Sequence, residues 1–271
     1  MGSVSKVSEV EKQRRYYETT ATSYDECCAF DPNDEHFIAA ALLSGLLSHF
    51  EVGSLLDVGC GTGRALHYLA SRHPEICFHG IEPVAALRAV ATAKGLREDQ
   101  VSAGDACALA YPDGAFDCVS LFGVLHHVRT PETAIAEAAR VSRRMFFISD
   151  HNIYGMGSRL TKSGKQLFRD VGLKKLLRLL MTRGKGYHDT DWDGVFYPFS
   201  LIDHYGLIRS LAPTVHLFPT KTPAVNLYRS ASHVAVLAVK DPALRSEDGA
   251  ALPRRGTETA AGGGADRRVR L

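Results

Sequence analysis

The chain has 271 residues, 45% of them hydrophobic and 23% charged, with a formal net charge of +2. That length holds one large domain or two small ones, and the near-neutral charge gives no global attraction to nucleic acid. Six scattered cysteines without a Cys-x-x-Cys pair argue against a zinc knuckle or a disulfide framework, and point to reduced thiols in a cytoplasmic protein.

In chain order, the opening "MGSVSKVSEVEKQRRYYE" is too polar for a signal peptide, and Lys6 stands where a myristoylation signal needs Ser or Thr. The longest nearly apolar run, 37–47, is too short to span a bilayer, so a soluble chain without membrane insertion is expected. From Ser54 onward short apolar runs alternate with helical patterns. Strands are predicted at 54–58, 76–81, 100–103, 115–122, 144–149, 214–218 and 233–239. Helices are predicted over Arg64–Ser71, Ala85–Lys94 and Glu132–Ser142, the last with Thr130 as N-cap and Pro131 at the first helical position. Apolar strands alternating with helices imply an α/β, doubly wound, mostly parallel sheet covered on both faces. Residues 150–200 interrupt the alternation as an insertion, and a helical pattern follows at 200–211. Residues 241–271, rich in Gly, Ala, Arg and Pro, cannot bury a core and read as a disordered tail.

In such sheets ligands bind beyond the carboxyl ends of the strands. After the first strand come Asp57, then Gly59, Cys60, Gly61 and Gly63. Counted from Gly59, the third glycine of a dinucleotide fingerprint would fall on Arg64; counted from Gly61, on Leu66. The Gly-Lys-Ser/Thr of a P-loop is also missing, so the loop brings backbone close to a ligand without the spacing that seats a pyrophosphate. A plain tight turn would use glycines in the same way. Glu82, 19 residues past Gly63, can accept from both hydroxyls of a ribose, or simply start a helix ahead of Pro83. Asp105 can accept from an exocyclic amine, or act as an N-cap.

Taken together, "DVGCGTG", Glu82, "GDA" and "YPDGAFDCVSLFGVLHHVRTPE" resemble, in order and spacing, the class I S-adenosylmethionine-dependent methyltransferases (methyltransferase type 11), in the branch that methylates small molecules. The resemblance covers about four-fifths of the chain. It implies a Rossmann-like seven-stranded sheet with an antiparallel last strand and a helical cap insertion. The implied segments are an N-terminal helical lid at 1–50, a cofactor-binding core at 51–149, the cap at 150–200 and the rest of the core at 201–240. S-adenosylmethionine is the implied cofactor. Gly59, Cys60, Gly61 and Gly63 would pass its methionine half and ribose. Asp57 would anchor the loop and the ammonium, Glu82 with Pro83 the ribose, and Asp105 with Ala106 the adenine. Phe122 and Gly123 would run beside the sulfonium, with Tyr16, Tyr17 and Tyr24 of the lid closing over them or packing on the sheet edge.

The implied reaction is methyl transfer to a small-molecule acceptor by in-line displacement, in which a base is needed only if the nucleophile holds its proton tightly. His151, in "SDHNIYG", is the preferred base. His127, beside His126, is the second, although its "LHHV" setting recurs across the family with unrelated acceptors. Asp150, Asn152 and Tyr154 are expected to face the acceptor. "YHDTDWDG" at 187–194 reads as an Asp-rich turn, and no metal is expected. Between Arg159 and Lys185 stand nine Lys/Arg and one acid, Asp170. Leu173, Leu176, Leu177 and Leu180 share a helical face there, expected to pack down while the basic face borders the entrance. An anionic acceptor, a membrane surface and RNA stay open for that face, and a homo-oligomer is a further open partner. The alternatives are an RNA-modifying methyltransferase, for which no RNA-binding module is visible, and a non-methylating protein that keeps the pocket.

Overall fold

Two capped helices open the chain in the computed structural model, which describes residues 8–27, 30–221 and 226–240. The expected disordered tail, 241–271, lies outside the described residues. Ser8 caps α1 (Glu9–Thr20), its hydroxyl accepting from the Glu11 amide at 3.2 Å. After the short α2 (Tyr24–Cys27), Asp34 caps α3 (Glu35–His49) by accepting from the amides of His36 and Phe37. The apolar run 37–47 lies inside α3, where Ala39, Ala40, Leu43 and Leu47 are buried. Among the described residues no helix is long and apolar enough to cross a membrane.

The alternating region folds as β1 (Ser54–Val58), α4 (Arg64–Ala70), β2 (Cys77–Ile81), α5 (Ala85–Ala93), β3 (Val101–Ser102), β4 (Phe116–Phe122), α6 (Pro131–Val141) and β5 (Ser142–His151). The insertion contributes α7 (Arg159–Asp170), α8 (Lys174–Met181), β6 (His188–Thr190) and β7 (Gly194–Phe196). The chain then closes with α9 (Tyr205–Leu211), β8 (Thr214–Pro219) and β9 (His233–Val239). Seven strands make one sheet in the order β3-β2-β1-β4-β5-β9-β8, with β9 antiparallel to both neighbours. Both faces are apolar: on one, Val119, Leu121, Phe146 and Ile148 of the central strands lie in a buried cluster with Ala138 of α6 and Ile208 of α9, and on the other Cys118, Met145 and Phe147 are buried. The chain winds outward from β1 through β2 to β3, then returns to β4 on the other side of β1. The carboxyl ends of β1 and β4 therefore flank the switch point where α/β sheets bind ligands.

Several expectations change on this frame. Strand β5 runs past residue 149 because β9 pairs it to its last position, His151 opposite His233. Asp150 and His151 are thus strand residues rather than loop residues. Asn152 and Tyr154 do not face an acceptor. Asn152 is buried, with Nδ2 donating to the Ala231 carbonyl at 2.8 Å, and the buried Tyr154 donates its hydroxyl to Asp203 at 2.9 Å. Thr130 occupies the N-cap position of α6, but its side chain makes no capping bond. The Asp-rich turn expected in "YHDTDWDG" is present at 191–193 and closes a two-stranded hairpin, β6–β7, with Gly194 at φ 63°. The leucine face of α8 does not pack down as a whole: Leu177 is buried, while Leu173, Leu176 and Leu180 are exposed.

Candidate cofactor and acceptor site

The loop from β1 to α4 needs its glycines for two different reasons. Gly59, Gly61 and Gly63 sit at φ 72°, 56° and 76°, in the left-handed region. At Gly63 a side chain would also collide with Leu96, 2.7 Å from the Cβ position, so this glycine serves packing and does not line the cavity as expected. At Gly61 a Cβ would meet nothing within 4 Å, because it would point into open space beside the cavity. The loop is held from the β2 side. The Ile81 carbonyl accepts from the amides of Gly59 and Cys60 at 2.8 and 3.0 Å, and Glu82 Oε2 accepts from the Gly61 amide at 3.1 Å. The anchoring role expected of Asp57 thus belongs to Ile81 and Glu82.

A cavity of about 310 Å³ opens at the switch point. Asp57, Gly59, Cys60, Gly61, Glu82 and Pro83 line it, together with Asp105 and Ala106 after β3 and Phe122 and Gly123 at the end of β4. Tyr17 and Tyr24 reach it from the N-terminal helices. Tyr16 does not: its ring lies against Gly194 of the hairpin, 3.0 Å from the Cβ position there, and edge-on to Tyr17. Glu82 is buried, with Oε1 accepting from the Val84 amide at 2.9 Å. Burial holds its carboxyl above the ordinary range, against the pull of the two amides. Asp57 accepts from the Ser120 hydroxyl at 2.8 Å, and burial pushes it up to about 7, with the charge of Glu82 adding to the rise. Asp105 Oδ1 accepts from the Cys107 amide at 2.8 Å, an Asx turn that fixes the carboxylate at the cavity wall. Buried or fixed acids around open space beside Gly61 suit a ligand that carries positive charge and hydroxyl donors.

Above the cavity, α1 meets the β6–β7 hairpin across two histidines. Tyr17 Oη lies 3.0 Å from His127 Nε2, and His127 Nδ1 lies 2.8 Å from the Val195 carbonyl. Gln13, one turn before Tyr17 on α1, donates Nε2 to the Asp193 carbonyl at 3.2 Å and accepts from the Val195 amide. Four residues before Tyr17, it shares that residue's face of α1, which is the signal the sequence carries for it. Burial, followed by the neighbouring His126, keeps His127 below its ordinary value and neutral near pH 7. His126 goes the other way. Burial alone would lower it, but Asp150, 2.7 Å from Nδ1, outweighs burial and raises it. His151 stacks on His126 at 4.0 Å between ring centres and does not line the cavity. Burial and the charge of His126 lower its basicity strongly, so the structure does not support His151 as a base.

Among the described residues two groups could hold a cation: His126 with Asp150 and His151, and His126 with His127 and Asp193, the ligand atoms of each group lying within 4.8 Å of one another. His126 Nε2 lies 3.7 Å from Asp193, and with Asp150 at Nδ1 raising its basicity, the protonated form of this ring would place a positive charge between the two carboxylates.

Residues 56–145 match the family model described as a methyltransferase domain. The chain is similar to ajmaline N-methyltransferase of Rauvolfia serpentina, 39% identical over 95 residues, which are 33% of this chain and 32% of that protein. It therefore spans about a third of the length of the curated relatives it matches. In fold it is similar to magnesium protoporphyrin IX methyltransferase from Synechocystis PCC 6803, solved with bound S-adenosylmethionine, at TM-score 0.52 and 13% identity over 88% of this chain and 100% of that one. It is likewise similar to phosphoethanolamine N-methyltransferase 2 of Haemonchus contortus, at TM-score 0.55 and 14% identity over 84% of this chain and 60% of that one. Residues 56–145 are thus a methyltransferase domain, and their glycine loop and acids at successive strand ends are similar to those of the class I S-adenosylmethionine-dependent methyltransferases.

Proposed function

We propose that this protein transfers a methyl group from S-adenosylmethionine to a small-molecule acceptor by in-line displacement. The observation that carries this reading is the cavity itself. Asp57, Glu82 and Asp105 meet around the open space at Gly61, and His127 stands at the lid side of the same cavity. These residues fit the cofactor: an ammonium suits Asp57, ribose hydroxyls suit Glu82, and an adenine amine suits Asp105. When bound, the cofactor supplies an electrophilic methyl on a sulfonium whose leaving group is neutral.

The remaining work falls to the chain. Phe122 and Gly123 form the wall leading from the β4 end toward His127, and Tyr17 and Tyr24 cover the space from α1 and α2. Alignment and exclusion of water by these groups supply most of the rate. Where the acceptor carries a proton, it can pass through the Tyr17 hydroxyl to His127 Nε2, because burial keeps the ring neutral, Nδ1 is tied to Val195 and the lone pair of Nε2 accepts from Tyr17. Tyr17, 3.0 Å from Nε2, holds that ring in place from the lid.

The test is incubation with the cofactor and a panel of amines, phenols and carboxylic acids, with products identified by mass. Gain of one methyl by a panel member supports the reading, and for a member that holds its proton tightly the gain should be lost in His127→Ala with the Kd for S-adenosylhomocysteine unchanged. Cofactor binding without turnover of any member would favour a protein that keeps the pocket for another use.

A further inference from the structure

Helices α7 and α8 turn their polar sides inward. Lys165 Nζ donates to the carbonyls of Ile153 and Met156, and Gln166 Nε2 to those of Tyr154 and Arg229 at 3.3 and 3.0 Å. Arg169 lies over the Tyr154 ring, 5.1 Å from its centre, and Lys174 pairs with Asp203. Rolling the helices to bury their leucines would strip these carbonyls and the carboxylate of their donors, at a cost for each group left unpaired. The apolar sides therefore face water: Leu160 is 86% exposed, Leu167 62% and Leu180 60%. Within the pair of helices Leu177 alone is fully buried, against Ile153 and Tyr154. A run of outward leucines of this kind marks a surface that something covers.

Charge identifies the cover. Of the nine Lys/Arg between 159 and 185, Arg159, Lys175, Arg183 and Lys185 are exposed, and none of these four is in an ion pair among the described residues. The segment's single acid, Asp170, is paired with Arg169 at 2.9 Å. A second copy docking by the same face would set these cations against their own images. A negatively charged lipid surface meets both demands, since leucines enter the boundary between headgroups and acyl chains while cations meet the headgroups. At 12 and 8 residues the helices are too short to span a bilayer and suited to lie on it. We propose that α7 and α8 form an interfacial hairpin that docks the protein on anionic membranes, a property independent of how the cavity is read.

The test is co-sedimentation of the full chain with vesicles of phosphatidylcholine alone, and with about a third phosphatidylserine, at physiological salt. The expected result is binding to the anionic vesicles at least about tenfold stronger than to the neutral ones, weakened by added salt. Leu160→Asp with Leu167→Asp, and separately Lys175→Glu with Lys185→Glu, should each lower that binding about tenfold or more. These side chains are exposed, so the melting temperature and the Kd for S-adenosylhomocysteine should stay at wild-type values, which shows that the variants are folded. No sedimentation with anionic vesicles overturns the proposal. So does a leucine pair whose loss leaves vesicle binding intact, which would mark a simple polyanion site. A wild-type dimer that the leucine variant converts to a monomer would assign the face to a second copy instead.

Discussion

Asp57 and Glu82 are buried acids facing the same cavity, and each raises the cost of ionising the other. The sign follows from Asp57 being pushed from 3.8 up to about 7. Its folded form holds its proton more tightly than the unfolded chain does, so stability falls as pH rises through that window. Asp57→Asn should leave stability unchanged near pH 4 and raise it at pH 8, by at most about 4 kcal/mol, in thermal or urea unfolding of the free protein. The same substitution should weaken S-adenosylhomocysteine binding, because an ammonium facing Asp57 favours the carboxylate. Wild-type affinity should then fall as pH drops below about 7, with proton release on binding visible as a dependence of the calorimetric heat on buffer ionisation. Glu82→Ala should cost about 1–3 kcal/mol of cofactor affinity, and it also frees the amides of Gly61 and Val84. A pH-independent Kd in the wild type would contradict the role given to Asp57.

Among the elements, α1 and the β6–β7 hairpin act together as the cover of the site; α1 belongs to the lid expected at 1–50, whereas the hairpin stands where 159–185 was expected to border the entrance. Their contacts are unequal. Lys12 and Asp189 are 2.9 Å apart but both are exposed, and such pairs contribute little. Gln13 reaches between the strands to the Val195 amide and the Asp193 carbonyl, where its loss leaves buried groups unpaired. Gln13→Ala should destabilise the protein by about 1–3 kcal/mol and raise KM for the acceptor, whereas Lys12→Ala should change neither beyond about 0.5 kcal/mol. Thermal unfolding and steady-state kinetics of the two variants check the ranking. Equal effects would mean that the lid is held by charge. His127→Ala should lower kcat by roughly 10²–10⁴ for an acceptor with a tightly held proton and leave a readily ionised one nearly unaffected.

At the scale of the whole molecule, what the sequence made legible is what local chemistry specifies. Apolar strands set the parallel sheet, and β1 falls at the predicted 54–58 because its apolar residues end at a glycine loop. The acids at the ends of β2 and β3 were readable because spacing alone brings them to the cavity. Long-range pairing hid the rest. The register of β5 against β9 made a strand residue of His151 and stacked it among buried histidines. Helical periodicity shows that α7 and α8 have two faces but not which one turns inward. That choice rests on carbonyls at 153–156 and 228–229, distant in sequence from the helices. Tyr16 and Tyr17, adjacent in sequence, part company because one helix step carries Tyr16 to the hairpin and Tyr17 to the cavity. The central claim is that the space beside Gly61 receives the cofactor, and calorimetry with S-adenosylhomocysteine on the wild type and Gly61→Val tests it most directly. The cavity reading predicts measurable binding to the wild type and loss of at least about tenfold in the variant, whose side chain would enter that space from a left-handed backbone; equal affinity in a variant that melts cooperatively would contradict it.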